Sequence, residues 1–271
     1  MEVINKMNIT LFKREIKSNY KMIILFMAIM TMYCSMLIAM FDPKFAESID
    51  LMAQSMPELF SAFGMSNSGS TLIEFIGNYL YGFILLVIPL IFIILLGNKL
   101  VAKYVDSGSM AYLLATPNKR KSIVVTQGIF MALSILCLVV YATILCIIVS
   151  QMIFLGELDI KRFLFLNVGL YGLLFFLGGL SFLSSCTFNE TRYSVGVAGG
   201  VSVLFVLLQM LSQVGEKFEI LKYGTPLTLF NVEKIISGDS SATIGIIALY
   251  LVGLSFYIIG IGVFSKKDLS L

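Results

Sequence analysis

The sequence predicts an all-α membrane protein with six transmembrane helices. Of its 271 residues, 58% are hydrophobic and only 13% are charged, and the mean hydropathy is +0.95. Average soluble domains contain about 45–50% apolar and about 25% charged residues, so a soluble fold of this length could not bury so much apolar surface. The same composition excludes a disordered chain, a collagen and a nucleic-acid-binding protein.

Six uncharged segments are each long enough to cross a bilayer, which takes about 20 residues of α-helix. The predicted spans cover about residues 22–41, 75–98, 122–153, 163–187, 193–214 and 241–264 of a single domain, residues 1–271. The third uncharged run continues to residue 156. Two crossings with a turn would need about 40 residues, so we predict one long, tilted helix there.

Lys and Arg residues are distributed unevenly between the two sides of the predicted bundle. With the N-terminus in the cytoplasm, 13 of the 19 basic residues lie on the inner side and 11 of the 16 acidic residues lie on the outer side. Basic residues next to the spans favour the cytoplasmic side, so we expect both termini to be cytoplasmic. The first span is too long for a cleaved signal peptide, and no A-x-A site follows it.

Several kinds of chemistry are excluded by missing residues. The chain contains no His, which excludes His-assisted nucleophilic catalysis and His-ligated metals or haem. It also lacks a G-x-x-x-x-G-K-[ST] loop, the usual phosphate-binding cradle for ATP. No catalytic or metal site is therefore predicted. Four cysteines lie in apolar runs without a C-x-x-C motif, which is typical of buried structural thiols. They are Cys34, Cys137, Cys146 and Cys186.

The segment before the first span, residues 6–21, combines apolar residues at helical spacing with basic residues between them. The apolar positions are Met7, Leu11, Phe12, Ile16 and Tyr20. This pattern predicts an amphipathic interfacial helix on the inner leaflet that turns into the first span. The alternative is a basic anchor that only sets the topology.

The inner loop over residues 98–121 contains a short apolar helix between two turn signals. Gly108 allows a break in the backbone, Ser109 can cap a helix, and Pro117 ends it. The apolar residues of this helix would face water without a partner, which predicts binding to another protein. They include Tyr112, Leu113 and Leu114. The alternative is a plain loop whose helix rests on lipid.

The predicted outer loops, residues 42–74 and 215–240, also carry apolar residues at helical spacing. The positions are Ile49, Met52, Met56, Leu59, Phe60 and Phe63 in the first loop, and Leu227, Leu229, Ile235 and Ile236 after Pro226 in the second. We predict amphipathic helices that lie on or dip into the outer leaflet. They either cap the exit of a transport path or only shape the fold.

The interiors of the spans hold polar amides but no full charge. The amides are Asn78, Gln127, Gln151, Asn167 and Gln209. A proton- or ion-driven transporter normally places a carboxylate or Lys at this depth, so the neutral spans argue against such a mechanism. No substrate-binding residue can be named from the sequence.

The inner loop also carries the pattern that is most specific to one family. Its residues are Asp106, Gly108, Ser109, the pair Leu113-Leu114, Pro117 and Arg120. This order resembles the coupling-helix signature of permease subunits of the type-2 ABC exporter family, with Asp and Ser where Glu and Thr are usual. The ending, residues 264–269, looks like the family's basic-Asp-Leu tail, and residues 221–230 are similar to its Tyr-x-x-Pro-x-x-Phe stretch.

The resemblance implies a half-transporter in a bacterial plasma membrane. Two such permeases, identical or homologous, would form a translocation path, and each coupling helix would bind one of two separate ATPase subunits. ATP and Mg²⁺ would be bound by the ATPase, and this chain would bind no cofactor and would not itself be an enzyme. The implied partner-binding residues are Asp106, Gly108, Ser109, Tyr112, Leu113, Leu114, Pro117 and Arg120. Asp106 and Arg120 would make charged contacts, and the Leu pair would fill a cleft of the ATPase.

The leading hypothesis for function is therefore an ATP-driven exporter of an amphipathic peptide, antimicrobial or drug-like molecule. A secondary transporter without an ATPase is the alternative, disfavoured by the neutral spans and by the shaped inner loop. A vitamin-capturing importer component lacks this inner signature. An intramembrane enzyme would need a nucleophile and a base, and no Lys lies within a span.

Overall fold

The computed structural model describes residues 7–41, 52, 54–62, 71–114, 119–214 and 216–267. Within these ranges the chain forms helices and no β-strand, which confirms the all-α class. The helices are α1 (Ile9–Ala39), α2 (Pro57–Ala62), α3 (Leu72–Asp106), α4 (Met110–Leu114), α5 (Arg120–Ile153), α6 (Ile160–Thr187), α7 (Thr191–Gln213), α8 (Val232–Ser237) and α9 (Ser240–Lys266). Two 3-10 helices, Glu216–Gly224 and Pro226–Leu229, lie between α7 and α8.

Six of these helices are long and apolar enough to cross a membrane, in agreement with the six predicted spans. They are α1, α3, α5, α6, α7 and α9. With 35 and 34 residues, α3 and α5 are each about 50 Å long, against about 30 Å for the hydrocarbon core of a bilayer. Both helices therefore extend beyond the membrane, and α4 lies in the connection between them.

Helix α3 contains two π-helical stretches, one near each end. They cover Gly77–Ile84 and Asn98–Ala102. A π-helical turn inserts an extra residue into the helical repeat, and such turns occur frequently at functional sites. The second stretch ends one turn before the connection that carries α4.

Helix α1 is one uninterrupted helix, so the predicted turn between an interfacial helix and the first span is absent. A single stripe of buried residues runs along it: Leu11, Glu15, Asn19, Phe26, Met30, Cys34 and Ile38. Only part of the predicted apolar face packs against other helices, because Ile16 and Tyr20 are 47% and 45% exposed. The side with Glu15 packs instead, since its carboxylate accepts hydrogen bonds from Tyr104 of α3 and Gln127 of α5.

Helix α6 occupies the centre of the bundle and packs against α3, α5, α7 and α9. The backbones of α6 and α9 approach closely, since a Cβ on Gly179 would lie 2.6 Å from the carbonyl oxygen of Gly253. A side chain at that position would have to displace backbone. Small residues allow two membrane helices to pack this closely.

The residues between α7 and α9 fold back onto the spans at the end of the bundle opposite α4, hereafter the far end. A Cβ on Gly169 of α6 would meet the side chains of Phe230 and Ile235, and one on Gly77 of α3 would meet those of Val232 and Ile236. Apolar residues of the predicted second outer loop therefore pack against the spans. In the first loop, Met52, Met56 and Leu59 are exposed. The predicted positions Ile49 and Phe63 lie outside the described residues, as do residues 268–271 of the tail.

Candidate functional site

The predicted partner-binding residues all belong to the connection between α3 and α5, hereafter the α4 segment (residues 106–120). The backbone reverses direction at Gly108, whose φ of +68° lies in the left-handed region that favours glycine. A Cβ added to Gly108 would meet no atom within 4 Å. The backbone conformation, rather than a close contact, therefore accounts for glycine at this turn.

Serine hydroxyls close this turn onto the end of α3. Ser107 Oγ donates to the carbonyl oxygen of Lys103 at 2.8 Å, and the hydroxyls of Ser107 and Ser109 lie 2.6 Å apart. Ser109 Oγ, which the sequence predicts as a cap of α4, donates to the carbonyl oxygen of Tyr104 at 3.3 Å. The reversal at Gly108 directs this hydroxyl back toward α3.

Helix α4 packs one side against the bundle and exposes another. Met110 is buried, and Leu113 is partly buried against the hydrophobic core. Tyr112 is 81% exposed, although its ring is large and mostly apolar. Pro117 and the side chain of Leu114 lie outside the described part of the chain. Tyr112 is therefore the described α4 side chain that is most available to a partner.

Asp106 and Arg120, two of the three charged residues in the α4 segment, attach it to other spans. Asp106 Oδ2 accepts the backbone N–H of Thr191 at 3.4 Å, at the N-terminus of α7, where a negative charge is favourable. Arg120 Nη1 donates to the carbonyl oxygen of Lys267 at 3.0 Å, just past the end of α9. Lys267 Nζ donates in turn to the carbonyl oxygen of Thr187 at 2.6 Å. Partial burial lowers the pKa of Lys267.

A buried polar cluster of Glu15, Asn19, Tyr104 and Gln127, hereafter the Glu15 cluster, lies next to the α4 segment. The Glu15 carboxylate is 1% exposed. Its Oε1 accepts from Tyr104 Oη at 3.0 Å and from Gln127 Nε2 at 3.1 Å, and its Oε2 accepts from Asn19 Nδ2 at 3.1 Å. The cluster joins α1, the last turn of α3 and the first turns of α5.

Glu15 is not among the residues predicted from the sequence, because it stands in a run of basic residues. The signal that could have found it is spacing. Leu11, Glu15 and Asn19 follow one another at four-residue steps and belong to the same buried stripe as Phe26. A carboxylate on such a packed stripe requires hydrogen-bond donors from neighbouring helices.

Both ends of the described chain lie at the α4 end of the bundle. Lys99 Nζ donates to the carbonyl oxygen of Ser18 in α1 at 3.0 Å, and the contact between Arg120 and Lys267 places the end of α9 beside the start of α5. Within the described ranges no group of three or more His, Cys, Asp or Glu is arranged to hold a metal ion. The site consists of an exposed aromatic side chain on a short helix that is bonded to several spans.

A family model described as ABC-2 family transporter protein matches residues 9–269. The chain belongs to the ABC-2 transporter family. The match includes every described span and the α4 segment, and it confirms the resemblance found in the sequence. The protein is thus a multi-pass membrane permease of an ABC transporter, and membership of this family implies association with an ABC ATPase. No curated protein matches the permease in sequence.

Proposed function

We propose that this permease is the membrane subunit of an ATP-driven exporter in a bacterial plasma membrane. Two permease subunits, identical or homologous, form the translocation path, and the α4 segment of each binds a separate ATPase subunit that holds ATP and Mg²⁺. The cargo is an amphipathic peptide, antimicrobial or drug-like molecule. The observation that carries the proposal is the 81% exposure of Tyr112 on a helix whose flanking residues are bonded to three other spans, α1, α7 and α9.

The attachments of the α4 segment support a role in transmitting force. Asp106 connects the segment to α7, Tyr104 connects it through Glu15 to α1, and Arg120 connects it to the end of α9. A displacement of α4 by an ATPase would therefore move several spans together. Such a rigid-body displacement is one of the standard ways in which a packed bundle changes between two arrangements.

The charge at the α4 end supports a cytoplasmic location for this end. Basic residues concentrate there, in the first turns of α1 and in the last turn of α9 and the residue after it. They include Lys13, Arg14, Lys17, Lys21, Lys266 and Lys267. Basic residues near the ends of spans favour the cytoplasmic side, which is where an ATPase and its ATP are available.

The direct test compares two tyrosines of equal exposure at opposite ends of the permease. Tyr112 is 81% exposed on α4, and Tyr223 is 82% exposed at the far end. Tagged permease is purified from its native cells in mild detergent, and the co-purifying ATPase is quantified by mass spectrometry. Loss of a central aromatic residue at an interface typically costs at least about 2 kcal/mol, which is more than tenfold in affinity.

We expect the wild-type permease and Tyr223→Ala to retain the ATPase, and Tyr112→Ala to lose most of it. Equal amounts of ATPase with both variants would contradict the proposed role of α4. A wild-type permease that purifies without an ATPase, and that still transports in liposomes without ATP, would favour a secondary transporter instead.

A further inference from the structure

A cavity of about 650 Å³ lies at the far end of the permease. Ligand sites in proteins typically enclose about 300–1,000 Å³. The walls of the cavity come from α3, α6, α7 and the end of α2, and its roof comes from residues 222–234. It is separate from the α4 segment and shares no residue with it.

One wall of the cavity is the π-helical stretch Gly77–Ile84 of α3. The roof rests directly on this stretch, because a Cβ on Gly77 would lie 2.8 Å from Val232 and 2.9 Å from Ile236. The irregular helical turn therefore borders the space in which a ligand would lie. Such turns are frequent at functional sites.

The walls that the spans contribute are uncharged. Their apolar part includes Phe83, Leu86, Leu173, Val206 and Met210, and their polar part includes Asn78, Gln209 and Gln213. The charged residues that line the cavity, Lys222, Glu233 and Lys234, all belong to the roof. Lys222 is paired with Glu219, which raises the pKa of the Lys222 ammonium and lowers that of the Glu219 carboxyl. A charged ligand would therefore find no opposite charge on the walls.

Gln209 supplies the cavity wall with an unsatisfied hydrogen-bond acceptor. With the Gln213 amide oriented so that both of its ends are paired, Gln209 Nε2 donates to Gln213 Oε1 at 2.9 Å, and Gln213 Nε2 donates to the carbonyl oxygens of Ser61 at 3.0 Å and Ala62 at 3.2 Å. Gln209 Oε1 is buried and has no hydrogen-bond partner among the described residues. The terminal torsion of a glutamine is broad, so a small rotation can direct this oxygen toward a ligand.

Another polar group at the cavity is already committed within the bundle. The Tyr81 hydroxyl donates to Asn167 Oδ1 at 2.8 Å and thereby joins α3 to the central helix α6. In the described part of the chain, Gln209 Oε1 therefore lacks a hydrogen-bond donor, and a ligand could supply one. An amide N–H or a hydroxyl meets this need without bringing a charge into the apolar part of the cavity.

We propose that this cavity is a cargo-binding site for small, uncharged amphipathic molecules that present an amide or hydroxyl donor to Gln209. The role as a cargo site rests on the proposed exporter function. It narrows the cargo to neutral, peptide-like or hydroxyl-bearing compounds of drug size, or to a short segment of a longer peptide. The apolar part of such a molecule packs against Phe83 and Val206.

The test uses the absence of Trp from the permease. Phe83→Trp places a single tryptophan on the cavity wall of the full-length permease, which is purified in detergent without any ATPase. Three matched probes are titrated while the tryptophan fluorescence is followed: N-acetyl-leucyl-leucinamide, the anionic N-acetyl-leucyl-leucine and the cationic leucyl-leucinamide. We expect saturable binding of the neutral probe, at least about tenfold tighter than that of either charged probe, because the walls around Gln209 carry no charge and the charged residues of the cavity belong to its roof.

Two further substitutions in the Phe83→Trp background locate the bound probe. Gln209→Leu removes the acceptor and should weaken binding of the neutral probe by about three- to tenfold, the usual effect of one hydrogen bond. Val206→Phe narrows the cavity next to residue 83 and should weaken binding of the neutral probe. Gln151→Leu makes the same change as Gln209→Leu outside the cavity, near the end of α5, and should leave binding unchanged.

Equal affinities for the three probes, non-saturable partitioning, or full binding to Val206→Phe would overturn the cargo site. The outcome is independent of the ATPase experiment, because no ATPase is present. Failure of ATPase binding with intact probe binding would refute the proposed coupling but not the cavity. The reverse result would leave the exporter proposal in place and require the cargo to bind elsewhere.

Discussion

The Glu15 cluster makes a quantitative prediction about Gln127. Gln127 is 0% exposed, and its Nε2 donates to the buried Glu15 carboxylate. A hydrogen bond to a charged group contributes about 1.5–3 kcal/mol, and a buried carboxylate that loses a donor cannot turn to water. We therefore expect Gln127→Leu to lower the free energy of unfolding by about 1.5–3 kcal/mol.

The decisive comparison is a double-mutant cycle with Glu15→Leu. Without the carboxylate, Gln127→Leu replaces a polar group that has lost its acceptor, so the penalty should disappear or change sign. Residues in direct contact typically show interaction energies of about 0.5–3 kcal/mol in such cycles. Because the cycle measures the difference between two backgrounds, the cost of burying Glu15 itself cancels.

Thermal unfolding can be followed with a thiol-reactive dye, since Cys34, Cys146 and Cys186 are each 0% exposed and become reactive only on unfolding. Cys137 is exposed and is replaced by Ala in every variant. At about 2–4 °C per kcal/mol for a chain of this size, Gln127→Leu should lower Tm by about 3–12 °C. Gln151→Leu, the same change on the same helix, serves as the control. Equal decreases in Tm with and without Glu15 would refute the role assigned to its carboxylate.

Two further predictions use the same unfolding assay. Gly179→Ala should lower Tm by forcing a methyl group against the Gly253 carbonyl, an overpacking that typically costs about 1–3 kcal/mol; Gly196→Ala, which meets no atom within 4 Å, should leave Tm nearly unchanged. The Asp239 carboxylate accepts the Ser241 N–H at the start of α9, and this hydrogen bond lowers the pKa of Asp239 in the folded state. The hydrogen bond therefore stabilises the fold fully above the ordinary pKa of an Asp side chain. This stabilisation is lost as pH falls through the lower pKa of the folded state. Between about pH 6 and about pH 3, Tm should therefore fall less for Asp239→Asn than for the wild-type permease, because Asn caps a helix at any pH; identical pH profiles would contradict this assignment.

The number of spans could be predicted from the sequence because the bilayer fixes the length of an apolar run. Gly108 could also be assigned to a turn, since the need of glycine for a left-handed conformation is local. Both features depend on residue type and on neighbours in the sequence, and neither depends on contacts with other helices.

The partners of the charged residues could not be predicted, because they come from distant parts of the chain. Asp106 bonds to the backbone of a residue 85 positions away, and Arg120 bonds to one 147 positions away. From the sequence alone, the contacts expected of these two side chains were therefore those with an ATPase. Glu15 was missed for a related reason, since its donors Tyr104 and Gln127 are 89 and 112 positions away.

Helix α3 links the two sites that the proposals assign to the permease. Its last turn carries Tyr104 of the Glu15 cluster, and its first π-helical stretch forms a wall of the cavity. Tyr81 bonds this wall to Asn167 of the central helix α6. A displacement at the α4 end therefore has a continuous helix of about 50 Å along which it reaches the cavity.

If α3 connects the sites in this way, ATPase and cargo must affect each other's binding equally. The ATPase changes the affinity of the permease for the neutral probe by some factor. Thermodynamic linkage requires the probe to change the affinity of the permease for the ATPase by the same factor. Coupling energies of about 1–3 kcal/mol are typical and correspond to about 5- to 150-fold. Both factors can be measured with the Phe83→Trp permease, by titrating the probe with and without the ATPase and the ATPase with and without the probe. Tyr104→Phe, which removes the hydroxyl that bonds Glu15 without touching the cavity, should reduce both factors together. Factors of one in the wild-type permease would mean that the two sites are independent and that α3 does not couple them.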